Sequence, residues 1–517
     1  MSFELLKRYN KKIKTAEEVA RLIGEIPRTK RVIMCHGVFD IVHPGHIRHF
    51  LFAKSKAPIL IASLTSDIHI NKGEFRPHVP QDLRAINLAA LDFIDFVVID
   101  DNDTPLRNLS VIKPDLFAKG FEYSPENKTF AKTKEEIELV KSHGGEVIFT
   151  PGDFVLSSSK FIQQSPPNLK YEKLMILMDR ANISFSVIRK VLESFKNKKI
   201  HVVGDTIIDS YTRCTMIGGQ TKTPTLSVRF EEKTDYVGGA GIVAAHLRAA
   251  GASVSFSTIL GDDQMGKLAR EQVAKWDIED LSIVDGNRPT VNKNAVVVDD
   301  YRLLKIDTLD NRPISETHLR ALCEQISSIT CDGIVFSDFR HGIFNRGTIP
   351  SLIGSIPKNV FRVADSQVAS RWGNILEFRQ FDLITPNERE ARFSLGDQDS
   401  GIRSLASEIY DKSGCGLLIL KLGDKGIITC SGKNATTLDS YFVMDSFAEG
   451  AVDPVGAGDA LLAYSTLAMV STNNPIIASI LGNLAAACEC EHDGNHPITP
   501  EHLQKKIDDV EKAIYFD

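Results

Sequence analysis

Two α/β domains, each built on a largely parallel, doubly wound sheet, are the fold class this sequence predicts, and three observations predict it. The chain is 517 residues long, too long for one hydrophobic core, so two to four domains are expected. Short apolar runs bounded by polar turns alternate with amphipathic stretches, the pattern of strands covered on both faces by crossover helices. At Ser165, Pro166, Pro167 and Asn168 that alternation stops, because two successive prolines terminate regular structure and hold the chain extended. The boundaries that follow are residues 1–165 for a first domain, 166–179 for a linker in which Lys170 to Met178 reads as a spacer helix, and 180–517 for a second domain. No internal repeat or low-complexity tract is visible.

In the first domain, Thr15 and Glu18 form a capping box that opens an amphipathic helix. The apolar run from Arg31 to Cys35 reads as a buried strand, and a turn through Gly37, Phe39 and Asp40 leads to a helix with Pro44 in its first turn, where proline is favoured. His43 and His46 then stand at a helix N-terminus, where backbone N–H groups and the dipole favour anions and two imidazoles add donors. Gly45 between them removes a side chain from the approach of a nucleotide. Ile59 to Leu64 is the second strand. A loop carrying Lys72 and Arg76 precedes a helix that begins near Pro80 and carries Arg84. Phe96 to Ile99, Asp115 to Lys119 and Glu146 to Thr150 complete the strands, the last leading to Ser157, Ser158 and Ser159 at a helix start. Ligands on such a sheet bind at the carboxyl ends of its strands.

The H-x-G-H of His43 to His46 after the G-x-F-D of Gly37 to Asp40 resembles the nucleotidyltransferase superfamily. Lys72-Gly73, Arg76-Pro77, Arg84, Lys119-Gly120 and the serine run fall where the heptose-1-phosphate nucleotidyltransferase domain of ADP-heptose synthesis has K-G, R-P, an arginine, K-G and S-T-T. Glycerol-phosphate cytidylyltransferases are similar around H-x-G-H but carry an arginine-threonine lead that is missing here. Taken singly, Lys72, Arg76 and Lys119 read as solvated surface cations, and Ser157 to Ser159 serve equally as helix caps. The resemblance implies a Rossmann-like nucleotidyltransferase fold with His43 and His46 catalytic. It also implies that Gly37, Phe39, Asp40, Gly45, Lys72, Arg84, Lys119, Ser157, Ser158 and Ser159 contact nucleotide or phosphate, with ATP or CTP as the nucleotide and Mg²⁺ as the metal. A sugar phosphate acceptor is already an anion and attacks the α-phosphorus without a general base, so the protein must supply alignment and charge stabilisation. Pyrophosphate leaves, and no covalent nucleophile is required.

In the second domain, Ile200 to Val203 is a strand running into Asp205, with Asp209 four residues on. Gly238 and Gly239 open a helix from Ile242 to Ala250 that Gly251 closes. Further strands are Gly333 to Ser337, Phe361 to Ala364, Asp382 to Ile384 and Leu417 to Lys421, the last followed by Gly423. Near the end Gly456, Ala457, Gly458 and Asp459 lead into a small-residue helix. This set resembles the ribokinase/PfkB carbohydrate kinases, whose acceptor is a neutral hydroxyl and so needs a base. The resemblance implies a ribokinase-like fold with a β lid that in many members pairs two subunits, hence a homodimer. Asp459 is then the base, and the N–H groups of Gly456, Ala457 and Gly458 hold the transferring phosphoryl group. Asn387 and Glu390, in T-P-N-x-x-E, organise Mg²⁺ and its waters. Lys421, Gly423 and Asn483 meet the nucleotide ATP, while Asp205, Asp209, Gly238, Gly239, Lys293 and Asp338 meet the sugar. As a residue pattern alone, Asp459 also reads as a simple helix cap. Three features depart from the family. Ile242 replaces an asparagine that contacts sugar hydroxyls, Ala295 stands where heptose-phosphate kinases have an arginine, and the order of the two domains is inverted relative to the bifunctional heptose enzyme.

Composition narrows the partners. Hydrophobic residues make up 43% and charged residues 25%, ordinary for a soluble protein, and the net charge of -6 argues against a general nucleic-acid binder. Eight cysteines are scattered without a metal-binding or disulfide spacing, charges interrupt the first ten residues, and no run approaches a membrane span. The expectation is a cytoplasmic bifunctional enzyme. One half phosphorylates a sugar or sugar phosphate at the anomeric hydroxyl, and the other makes an NDP-sugar. The alternatives are the same two reactions on a polyol or cofactor precursor, or a nucleotide-binding regulatory or scaffold protein with a degenerate kinase half.

Overall fold

The computed structural model describes residues 9–70, 76–120, 133–150, 170–219, 226–299, 301–367, 374–432, 441–450, 454–491, 494 and 496–516. It forms two compact units, Met1–Leu169 and Lys170–Asp517.

In the first unit, strand β1 (Val32–Gly37) alternates between two cores. Ile33 and Cys35 pack with Phe50 and Leu88 on one face, and Val32 and Met34 pack with Val19 and Leu109 on the other. A strand covered on both sides needs apolar residues at every position, which is why the run is continuous. With β2 (Ile59–Thr65), β3 (Phe96–Asp100), β4 (Leu116–Lys119) and β5 (Glu146–Phe149) it makes a parallel sheet of order β3-β2-β1-β4-β5. The order reverses between β1 and β4, so a crevice opens at their carboxyl ends. The helix Pro44–Lys56 starts there. The capping box at Thr15 is present, with Thr15 Oγ1 accepting from the Glu18 N–H at 3.1 Å and Glu18 accepting from the Thr15 N–H at 2.9 Å.

The second unit centres on a nine-stranded sheet. In spatial order its strands are Glu279–Asp280, Ser253–Ser257, Lys199–Gly204, Gly333–Asp338, Phe361–Ser366, Leu383–Ile384, Leu417–Lys421, Ile427–Ser431 and Tyr441–Met444. The first seven run parallel, the eighth pairs antiparallel with the seventh and the ninth antiparallel with the eighth. A separate four-stranded sheet orders Tyr301–Thr308, Val291–Val298, Thr206–Gly219 and Leu226–Gly239. The β lid therefore takes in the hairpin 291–308 as well as the polar strands around Tyr211 and Tyr236. The linker expected over 166–179 is corrected in part. Lys170–Arg180 is a helix whose Leu174, Leu177 and Met178 lie in the same core as Phe185 and Ile188, so it belongs to the second unit.

Candidate active sites

At the first crevice, His43 caps the helix Pro44–Lys56, and its Nδ1 accepts from the Gly45 N–H at 3.0 Å. A neutral His43 thus carries its proton on Nε2, which becomes a donor. The His43 and His46 rings stack with centroids 3.9 Å apart, and the Phe39 ring meets His46 edge-on at 5.2 Å. Burial lowers the pKa of His43. Burial, with His43 and His49 alongside, takes His46 down to about 4. Both imidazoles are therefore neutral donors near neutral pH. Gly37 leaves room for the Phe39 ring, and Asp40 is buried with Oδ1 accepting from the Val79 N–H at 3.0 Å. These two shape the turn behind the histidines.

Two cations expected at this crevice turn inward. Arg84 is wholly buried and donates to the carbonyls of Val79 (2.9 Å), Thr65 (3.0 Å) and Val38 and to Asp67 Oδ1 (2.5 Å). Its task is to tie the ends of β1 and β2 to the helix Gln81–Ala89, which corrects its assignment as a phosphate ligand. Lys119, buried at the end of β4, pairs with Glu136. Lys72, Ser157, Ser158 and Ser159 lie outside the described residues. Sequence reasoning missed His36, which is half-buried at the end of β1 with Nδ1 3.0 Å from Ser63 Oγ and Nε2 3.2 Å from Thr65 Oγ1. Its place immediately before the glycine turn was the available signal.

The second unit holds a cavity of about 1090 Å³ lined by Asp209, Gly239, Lys293, Asn387, Glu390, Lys421, Gly423, Gly456, Ala457, Gly458, Asp459 and Asn483. Asp459 lies in the first turn of the helix Ala457–Thr472. The leading N–H groups of that turn have no helical carbonyl before them to accept their hydrogen bonds, and they favour an anion. Burial, reinforced by Asp365 and opposed by Lys421, pushes the Asp459 carboxyl up to about 8. Lys421 Nζ is 3.0 Å from Asp365 Oδ1, and a Cβ on Gly458 would lie 3.2 Å from that ammonium. A cation thus stands against the helix N-terminus. Asp365 went unseen in sequence because its strand reads as ending at Ala364, one residue short; a carboxylate closing a buried strand was the signal.

Asn387 and Glu390 close a capping box, with Asn387 N–H to Glu390 Oε2 at 2.7 Å and Glu390 N–H to Asn387 Oδ1 at 2.9 Å, while still lining the cavity. Among the described residues no cluster of three or more His, Cys, Asp or Glu is placed to chelate an ion unaided. Mg²⁺ keeps several waters and takes one or two carboxylates plus phosphate oxygens, so the Glu390 carboxylate on the cavity wall fits it. Asn483 donates to the Asp445 carbonyl at 2.9 Å.

The sugar end differs from expectation at four positions. Asp205 is buried and accepts from the N–H groups of Phe339 and His341 (both 3.1 Å) and Ile343 (3.4 Å), so its carboxylate holds the loop 339–343 and is absent from the cavity wall. Asp338, also wholly buried, accepts from Ser366 Oγ at 2.7 Å and the Arg340 N–H at 2.8 Å and pairs with Arg340 Nε at 2.9 Å. Both are corrected from sugar ligands to loop anchors. Gly238 is not on the wall, and Ile242 is fully buried, so its lost amide does not leave a gap in the cavity.

The strand paired with Ala295 brings further cations to the cavity. Lys305 stands directly opposite Ala295, and the pairing slips by one residue between Val296 and Val297, which sets Arg302 opposite Val297 and turns it onto the face of Lys293 and Ala295. Lys293, Arg302 and Lys305 all line the cavity. Arg302 lies 6.0 Å from the Tyr211 ring centroid, and Lys293 lies 6.0 Å from that of Phe339.

The family model of the pfkB family carbohydrate kinases matches residues 197–501, and that of the cytidylyltransferase-like proteins matches residues 34–191. The bifunctional protein HldE of Campylobacter jejuni subsp. doylei is 40% identical over 152 residues of the N-terminal part, which is 28% of this chain and 32% of its own length. HldE of Pelobacter propionicus is 41% identical over 139 residues, 26% of this chain and 27% of its own. These matches span about a third of the relatives' length or less. Among solved structures, the tetrameric inhibited form of phosphofructokinase-2 from Escherichia coli is similar at TM-score 0.50 and 18% identity over 61% of this chain and 99% of that one. The same enzyme in complex with substrates and products has TM-score 0.50 and 17% identity over the same shares. At such identities the likeness is one of fold.

Proposed function

The chain belongs to the pfkB carbohydrate kinase family, and on that premise we propose a bifunctional enzyme of nucleotide-sugar formation. In this reading the second unit phosphorylates a sugar or sugar phosphate, heptose-like, at its anomeric hydroxyl. The observation that carries it is Asp459, buried at a glycine-flanked helix N-terminus beside Lys421 in the large cavity. Ionised Asp459 takes the hydroxyl proton, the oxygen attacks the terminal phosphorus of ATP, and ADP leaves. The N–H groups of Gly456, Ala457 and Gly458, with the Lys421 ammonium, hold the phosphoryl oxygens as charge moves through them. Glu390 and Asn387 would hold Mg²⁺, which would neutralise charge on the nucleotide phosphates. Lys293, Lys305 and Arg302 on the lid favour an acceptor that already bears a phosphate.

The first unit then couples a sugar 1-phosphate to the α-phosphorus of ATP or CTP, releasing pyrophosphate. The similarity to the bifunctional HldE proteins supports this half, as does the pair of neutral histidine donors at a helix N-terminus. A homodimer through the lid is favoured by Phe230, Tyr301 and Ile306, which are 61%, 70% and 49% exposed there.

The test is incubation with ATP or CTP and a panel of sugars, sugar phosphates and sugar 1-phosphates, with products identified by mass. Kinase turnover that falls at least about a hundredfold in Asp459→Asn, with ATP affinity kept, is expected. Equal, negligible rates for wild type and variant across the panel would refute the kinase half.

A further inference from the structure

The helix Lys170–Arg180 precedes the nine-stranded sheet and contributes nothing to the cavity wall, yet it reaches that wall through one residue. Lys173 Nζ donates to both carboxylate oxygens of Asp445, at 3.1 and 2.8 Å. Asp445 follows the last strand of the sheet, Tyr441–Met444, and its carbonyl accepts from the Asn483 side chain at 2.9 Å. Asn483 lines the cavity, as do Ser446, Ala448, Glu449 and Gly450. Residues 445–450 are therefore a strap forming one side of the cavity.

The strap is tied at both ends. At its far end the Glu449 N–H donates to Glu491 Oε1 at 3.0 Å, and Lys506 Nζ holds that same oxygen at 2.6 Å. At its near end the backbone presses on Gly426, where a Cβ would lie 2.0 Å from the Met444 carbonyl. It can move away from Gly426 but not toward it, and the Lys173 pair is one of the contacts that resist outward movement, beside the Asn483 and Glu449 hydrogen bonds and the buried Phe447 ring.

The strap faces Ile427 and the helix Pro475–Cys490, whose Ala486 and Ala487 join Ala448 on the wall. Flat, mostly apolar surfaces with one fixed amide suit a nucleotide base, while the phosphates belong at the opposite feature, the helix N-terminus at Gly456–Gly458. We propose that Lys173 is a positioning residue for the nucleotide base of the kinase, acting through Asp445 and Asn483, so that the helix Lys170–Arg180 at the start of the second unit supports the ATP site. This rests on the kinase reading of the cavity.

The Lys173–Asp445 pair is partly exposed, at 18% and 30% of the two side chains, so losing it leaves the fold nearly as stable as before. What changes is the freedom of the Asp445 carbonyl and with it the Asn483 amide. In the full chain, Lys173→Met is expected to raise KM for ATP about fivefold, equivalent to about 1 kcal/mol, with kcat and the KM of the sugar within about twofold of wild type. Lys173→Arg, which keeps the ion pair, is expected to restore KM to within about twofold, and melting temperatures are expected to agree to within a few degrees. An unchanged KM for ATP, or a fall in kcat with KM unmoved, would overturn the proposal. If no sugar is phosphorylated, the kinase reading fails separately. Calorimetric titration of ATP into the two proteins then still decides the positioning role, weaker binding by Lys173→Met upholding it and equal or absent binding by both proteins overturning it.

Discussion

Asp365→Asn offers a sharp test of how the kinase cavity is charged. Asp459 stands at about 8 because burial and the Asp365 carboxylate both disfavour its ionised form, against the pull of Lys421. Below that value the base is mostly protonated in the free protein, so kcat/KM falls about tenfold per unit as pH drops through the acid side. Asparagine at 365 keeps an oxygen to accept from Thr385 Oγ1, now at 3.0 Å, and from Lys421 Nζ, but it removes the like charge. It also leaves the Lys421 ammonium with one fewer carboxylate, so both changes favour ionised Asp459. A neighbouring charge moves a carboxyl by about one to three units, and the expected midpoint is near pH 6.5. At that pH the variant should outpace wild type by roughly tenfold. Above about pH 8 it should be slower, since a weaker base accepts the proton less readily. The profiles therefore cross. The measurement is ADP release against pH, with pyrophosphate release by the first unit as control. His46 is already neutral above about 4, so that activity should show no matching limb. An acid limb that stays in place in Asp365→Asn, or moves upward, would refute the electrostatic account of Asp459.

Three further outcomes follow from the geometry. His46→Ala should lower pyrophosphate release by at least about a hundredfold while leaving phosphoryl transfer unchanged, because the two sites lie in separate units; parallel assays of one preparation check it. Arg84→Met should destabilise the first unit by about 3–5 kcal/mol in denaturant unfolding, since it strands buried Asp67 and frees three carbonyls. A fragment of residues 170–517 should melt cooperatively, whereas one beginning at residue 180 loses the burial of Leu174, Leu177 and Met178 and should be weaker by about 5 kcal/mol.

The central parallel strands of the two large sheets were legible because strands buried on two faces must be apolar throughout, and so were the helix starts at His43 and Ala457, marked by proline or glycine at the turn, whereas the edge strands Glu279–Asp280, Ile427–Ser431 and Tyr441–Met444 were not read. What stayed hidden is where polar side chains at strand ends point. Asp205, Asp338 and Asp365 all close buried strands, and nothing in their spacing distinguishes a carboxylate facing a loop backbone from one facing a cavity. Arg84 reads as a ligand in sequence because the resembling family has an arginine there, yet four protein acceptors satisfy it. Arg302 was beyond reach for another reason. Strict alternation would put it on the face opposite Lys305, and only the slip between Val296 and Val297 brings it round.

The two sites share one local design, a strand end leading to a helix N-terminus, and burial drives their titrating groups to opposite uses. Burial always disfavours charge, so it makes histidine a neutral donor and aspartate a neutral acid. For an acceptor that arrives as an anion no base is needed, and in the proposed reading the stacked pair His43–His46 serves it as neutral donors. For an acceptor that arrives as an alcohol, a protonated aspartate is useless until something restores its charge. Lys421 is the residue placed to do so, against the same helix turn as Asp459 and within the field of Asp365. In the proposed reading the second site therefore needs a cation beside its base where the first does not, and the difference traces to the charge of the atom that attacks.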